Sequence, residues 1–331
     1  MDRSNLEDLF FGVKPYNARL LHYLPANYSN FMKSSSNKVI IQGIDCSLAA
    51  LYAVQMKAYG TDIIAGVSPG LGGTKIEDFP VFDLVEQVST ITEQIDTSLI
   101  FVHPYQVLDA VQEAISAGIR RVIVVTSNVP PQDTIKLMQY AKATKTLLLG
   151  PGSQGLVIPQ KIWLGKLKPQ FYQPGKVGLI TKSEHLSYEV AAELNKANLG
   201  QSIVVSLGND RITASNLPRW LSILNEDPDT EAIVSIGQKI NETEAIITYC
   251  KEHGYDKPIV AYIAGIKTPQ EIEFRDAVTI ISNHLSVSIP AVNQGRRIIN
   301  QLKKVGIKVV KRPSEIPATI LKELPKLDQK S

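Results

Sequence analysis

Cysteine is nearly missing from this chain: Cys46 and Cys250 are the only two in 331 residues, far apart in sequence and with no C-x-x-C pair. That excludes a disulfide framework and leaves a reducing, cytoplasmic compartment as the expectation, with no metal expected from the chain. Charge of one sign is missing too. The 35 basic residues face 32 acidic ones for a net charge of +3, and without a clustered basic patch neither a nucleic-acid nor a membrane surface is expected. Apolar runs such as Val122 to Val125 are far shorter than the roughly twenty residues that a membrane-spanning helix needs. The opening MDRSNLEDLFFGVKPYN places acids early and has no apolar core of signal-peptide length.

What is present is a hydrophobic content of 44%, with Gly and Pro scattered singly, in a length that suggests about two domains. Residues 1–37 carry no clear period and end in MKSSSNK, and are expected to be an extension. From Lys38 short β-branched runs (39–42, 62–66, 98–102, 121–126, 146–150) alternate with amphipathic stretches. The first of these, Ser47 to Tyr59, places Leu48, Leu51 and Tyr52 on one helical face, and Pro104 and Pro130 precede the next two. The period fades among Gly and Pro near 150–174, then resumes with strands expected at 176–181, 202–207, 231–236, 258–263, 278–281 and 307–311. Helices are expected at 186–199, 241–253 and 290–304. Buried strands alternating with helices imply a parallel sheet, and two tandem doubly wound α/β domains follow. The expected division is an extension at 1–37, a first domain at 38–156, a linker at 157–175, a second domain at 176–312 and a solvated polar tail at 313–331. Ligands in such sheets bind beyond the carboxyl ends of the strands, so the loops there are the informative ones.

Those loops carry a family signature. AGVSPGLGGTKIEDFPVF (65–82), GPGSQGLVIP (150–159), PGKVGLITKSEHLSYEV (174–190), LGQSIVVSLGND (199–210), DPDTEAIVSIG (227–237), KPIVAYIAG (257–265) and VTIIS (278–282) occur in the order of the matching blocks in succinyl-CoA synthetase α subunits. The chain resembles that family from about residue 38 to 311. The resemblance implies a Rossmann-like CoA-binding domain followed by a flavodoxin-like ligase domain, a transiently phosphorylated histidine, and a separate β subunit that binds nucleotide. The expected partner is accordingly a β-type subunit, with a homo-oligomer as the alternative.

The residues at the family's reactive positions differ. Asp276 stands where the resemblance places the phosphohistidine, and Gln238 where it places the glutamate that orients it. A carboxylate can be a phosphoryl acceptor, but that chemistry needs a cation clamp, and no second acid is placed to hold one. Gln238 keeps the shape of glutamate and loses the charge that would stabilise an imidazolium. Ser183, Glu184 and His185 replace the Ser-Gly-Thr that opens the phosphate-site helix in the family, and Tyr188 is retained. Glu184 is expected to satisfy free N–H groups of that helix start and to repel a phosphoryl group. His185 and His284 are rival acceptors, though a lone loop histidine is more often solvated or structural.

The CoA-facing positions drift in the same way. Where the family has GxxGxxG, this chain reads Gly43-Ile44-Asp45-Cys46-Ser47-Leu48-Ala49, with only the first glycine kept. Leu71 stands at the family's phosphate-binding lysine, and Val125-Thr126-Ser127 at the strand end that meets CoA. Gly66, Gly70, Gly72, Gly73 and Pro69 are kept, which tight turns explain on their own. CoA is the ligand the resemblance implies, and Asp45 and Leu71 argue against tight binding. The leading reading is a family member that works by binding a partner. The alternatives are an active acyl-CoA ligase subunit with a rearranged nucleophile, or a stand-alone sensor of a nucleotide or CoA-type ligand.

Overall fold

The computed structural model describes residues 37–210, 212–215, 217–237, 240–264 and 294–324. The first sheet is built from β1 (Val39–Gln42), β2 (Ile63–Val67), β3 (Lys75–Ile76), β4 (Phe79–Phe82), β5 (Thr97–Ile100), β6 (Arg121–Val124) and β7 (Leu147–Leu149). Their order is β3-β4-β2-β1-β5-β6-β7, parallel throughout except for the β3–β4 pair. Strands β1, β5, β6 and β7 are buried at every position, as expected of a sheet covered on both faces. The connecting helices are α1 (Ser47–Tyr59), α2 (Val107–Ser116) and α3 (Pro131–Ala143). Gly60 closes α1 in the left-handed conformation, and Pro131 opens α3, where a missing N–H costs nothing.

The second sheet runs β14-β13-β12-β10-β11-β8-β9. It comprises β8 (Gly155–Ile158), β9 (Ile162–Gly165), β10 (Pro174–Thr181), β11 (Gln201–Ser206), β12 (Ala232–Gly237), β13 (Ile259–Ile263) and β14 (Lys308–Val310). Helices α4 (Glu184–Lys196), α5 (Leu217–Glu226), α6 (Ile240–His253) and α7 (Gln294–Lys304) connect them, and α8 (Ile316–Glu323) follows β14. Both domains are therefore doubly wound α/β units. The strand expected at 278–281 lies outside the described residues.

Three expectations need correction. The stretch 157–175 is not a plain linker: β8 and β9 form a hairpin that pairs antiparallel with β11 and extends the second sheet. Its glycines read as linker punctuation but serve close backbone approach, since a Cβ on Gly155 would stand 1.8 Å from the Leu164 carbonyl oxygen. The segment 313–324 is not a solvated tail either, because Ile316 and Ile320, one helical turn apart, are completely buried and α8 packs beside α4. On α1 the inward face is Ala49, Ala53 and Met56, while Leu48 and Leu51 point to solvent. Small residues face inward because the helix lies close over β2 and β9.

The two domains meet along α1 and the β8–β9 hairpin. Trp163 sits edge-on to Tyr52 and Tyr59, and Thr61 donates its hydroxyl to the Trp163 carbonyl at 2.8 Å.

Candidate functional site

In the first sheet the chain turns in opposite directions from β1 and β5, so the crevice above this pair is the switch point. Gly43 opens it with φ +81°, and a Cβ there would stand 2.8 Å from the backbone nitrogen of Val102. Asp45 accepts the Ser68 hydroxyl at 2.7 Å, tying the loop after β1 to the loop after β2. Cys46 is the N-cap residue of α1 without a side-chain capping bond, and it is exposed along with Ser47 and Leu48. Leu71 is also exposed.

One acid was not singled out in the sequence. Asp83, just after β4, accepts the backbone N–H groups of Gly70 at 2.7 Å and Gly72 at 2.9 Å through one carboxylate oxygen. A Cβ on Gly72 would stand 2.4 Å from the other oxygen. The glycine loop therefore already holds an internal anion. The only sequence signal was an aspartate directly after PVF, which reads as ordinary strand-end chemistry.

The strand-end positions divide. Val125 is buried in the core, and Thr126 donates its hydroxyl to the Val102 carbonyl at 2.7 Å. Ser127 alone faces a cleft of about 780 Å3, which Tyr105, Asn128, Pro130, Asn209 and Asp210 also line. Asp210, from the loop after β11, accepts the backbone N–H groups of Asn128 at 3.0 Å and Val129 at 3.1 Å. A carboxylate of the second domain thus holds the turn that follows β6 of the first.

In the second sheet the switch point lies between β10 and β12. Thr181 at the end of β10 pairs with Ile236, placing the loop that opens α4 beside the end of β12. Gln238 follows that end, and together with Asp276 and His284 it lies outside the described residues. Ser183 is the N-cap of α4 and makes no side-chain cap. Its backbone N–H goes instead to the Thr181 hydroxyl at 2.9 Å. Glu184 does not bond the helix-start N–H groups as expected. Its carboxylate runs along the helix and accepts the Tyr188 hydroxyl at 2.8 Å, a contact one helical turn away. Tyr188 also accepts the Lys168 N–H at 3.0 Å and stacks on Phe171 at 4.5 Å between ring centroids. Burial foremost, with the Glu184 carboxylate adding to it, pushes the Tyr188 phenol well above its ordinary value. Tyr52 on α1 is raised by burial and again by the charge of Glu184, so this acid also bears on the neighbouring domain. His185 is exposed.

At the first crevice Asp45 and Asp83 carry carboxylates that accept from Ser68 and from the glycine loop, and Leu71 presents an exposed apolar side chain. Among the described residues no group of three or more His, Cys, Asp or Glu side chains is placed to hold a metal, and no helix is long and apolar enough to cross a membrane.

Comparison with known proteins identifies the two doubly wound domains. Residues 34–128 match the model of the CoA binding domain, and residues 174–277 that of the succinyl-CoA ligase like flavodoxin domain. The chain is 34% identical over 280 residues to succinate–CoA ligase [ADP-forming] subunit alpha 2 of Archaeoglobus fulgidus, covering 84% of this chain and 94% of that one. It is 34% identical over 248 residues to the malate–CoA ligase subunit alpha of Methylorubrum extorquens, covering 74% and 83%. ATP citrate lyase from Methanothrix soehngenii, solved with citrate and coenzyme A, shares the fold with a TM-score of 0.68 at 18% identity, covering 89% of this chain. The chain spans about half of that larger protein, at 52%. This protein belongs to the succinate–CoA ligase alpha-subunit family.

Proposed function

We propose that this chain is a non-catalytic member of its family, a regulatory or structural subunit that acts by binding a β-type chain. The observation that carries this reading is the Glu184 carboxylate in the first turn of α4, held to Tyr188 at the start of the helix that serves phosphate in the family. A negative charge there opposes a phosphoryl group at the positive end of the helix dipole. Asp276 and Gln238, at the positions the resemblance gives to the phosphohistidine and its carboxylate, support the same conclusion from sequence. Paired replacement removes both the acceptor and the group that would stabilise its charged form.

CoA binding is weakened rather than redesigned in this reading. The first domain keeps its fold, while Asp45, Asp83 and Leu71 set acids and an apolar side chain where phosphates need cations or free N–H groups. The partner follows from the family, whose members are named as alpha subunits.

Native mass spectrometry of the protein from its own host tests the reading. A stable complex with a second, different subunit is expected. A monomer or homodimer carrying a bound small molecule would instead point to a sensor or to an enzyme with a rearranged site.

A further inference from the structure

Helix α1 carries apolar side chains on its outward side as well as its inward one, interrupted there by Gln55. Ala49, Ala53 and Met56 are buried beneath it, yet Leu48, Leu51 and Val54 on the opposite side are 44%, 53% and 42% exposed. A helix that is hydrophobic on both sides is ordinarily a covered one. Helix α5 shows the contrast, since Leu217, Trp220, Leu221, Ile223 and Leu224 are all buried there. The outward ridge of α1 belongs to neither hydrophobic core.

The beginning of the chain lies near it. Val39 donates its N–H to the Asp62 carbonyl, so the start of β1 sits beside the end of α1, which Gly60 closes. The 36 residues before Asn37 reach the body at that point, and the whole of α1 is only about 20 Å long. The N-terminal segment lies outside the family match. The succinate–CoA ligase relative is matched over 94% of its length by 84% of this chain, and the first family match begins at residue 34. Although residues 1–37 have no sustained period, Leu6, Leu9, Phe10 and Val13 fall at i, i+3, i+4 and i+7, with Ser4 and Glu7 in S-x-x-E spacing. That is the pattern of an amphipathic segment whose apolar side chains seek a hydrophobic surface.

We propose that the N-terminal segment of this chain covers the outward face of α1, its Leu6, Leu9, Phe10 and Val13 lying against Leu48, Leu51 and Val54. The cover borders the first crevice, whose loop residue Cys46 caps the same helix.

Hydrogen exchange read by mass spectrometry on the full chain tests this. Peptides from residues 1–15 are expected to exchange at least about tenfold slower than a free chain, and to lose that protection in a Leu48→Glu/Leu51→Glu variant. Both substituted side chains are exposed, so the melting temperature should hold. If the variant nevertheless unfolds, Cys46 gives a second reading: Phe10→Cys in the otherwise native chain should be bridged to it within one molecule by a short bis-maleimide. Free-chain exchange in the native protein, protection that survives the double substitution, or absence of the intramolecular bridge overturns the proposal. So does a dimer that the double substitution converts to monomer, which would make a second copy the occupant.

Discussion

Glu184 and Tyr188 form a closed pair on α4: the phenol donates to the carboxylate at 2.8 Å and is itself approached by the Lys168 N–H at 3.0 Å. The pair joins a charged residue at the helix start to a tyrosine one turn further on. Because the carboxylate accepts from the neutral phenol, it holds the proton on Tyr188. Glu184→Gln should therefore lower the Tyr188 titration midpoint, leaving the part of the elevation that burial causes. Ultraviolet difference titration of the two proteins reads this directly, and coincident curves would contradict it.

Asp210 bonds two backbone N–H groups of the opposite domain. Hydrogen bonds to a charged group contribute about 1.5–3 kcal/mol each. Asp210→Ala should cost about 2–4 kcal/mol once partial access of water to the turn is allowed for. Urea unfolding monitored separately in each domain should show the loss at the domain junction. A change within about 0.5 kcal/mol, typical of an unimportant surface site, would count against the contact.

Ile320, on α8, is completely buried. Ile320→Ala should lower stability by about 2–5 kcal/mol, the cost of a large-to-small change in a packed core. A solvated tail would give almost no change, so this substitution separates the two descriptions of residues 313–324.

The CoA crevice makes a gain-of-binding prediction. Micromolar CoA should leave the melting temperature of the native chain unmoved. Leu71→Lys should tighten binding about 10–100-fold by supplying one charged hydrogen bond. Stabilisation of the native chain at micromolar CoA would show that Asp45, Asp83 and Leu71 do not exclude its phosphates.

Much of the fold was legible because its strands are short, β-branched and buried on both faces, a pattern few other architectures share. The β8–β9 hairpin was not, since strands of four residues between glycines look like loop, and α8 was masked by the lysines around Ile316 and Ile320. The shared face of Leu48, Leu51 and Tyr52 did not mark the inward side of α1, because close packing over β2 and β9 selects Ala49 and Ala53 there. At the site, Glu184 and Leu71 announced themselves as charge changes in a recognisable motif. Asp83 and Asp210 did not, because their significance lies in the backbone N–H groups they meet, up to 82 residues away in sequence.

The central claim is that this chain no longer accepts a phosphoryl group. Incubation with γ-labelled ATP and a β-type subunit, followed by counting of label on this chain, tests it most directly. The account predicts no label above background in the native protein. Stoichiometric label that disappears in Asp276→Ala or His185→Ala would contradict it and make the chain an active ligase subunit with a relocated acceptor.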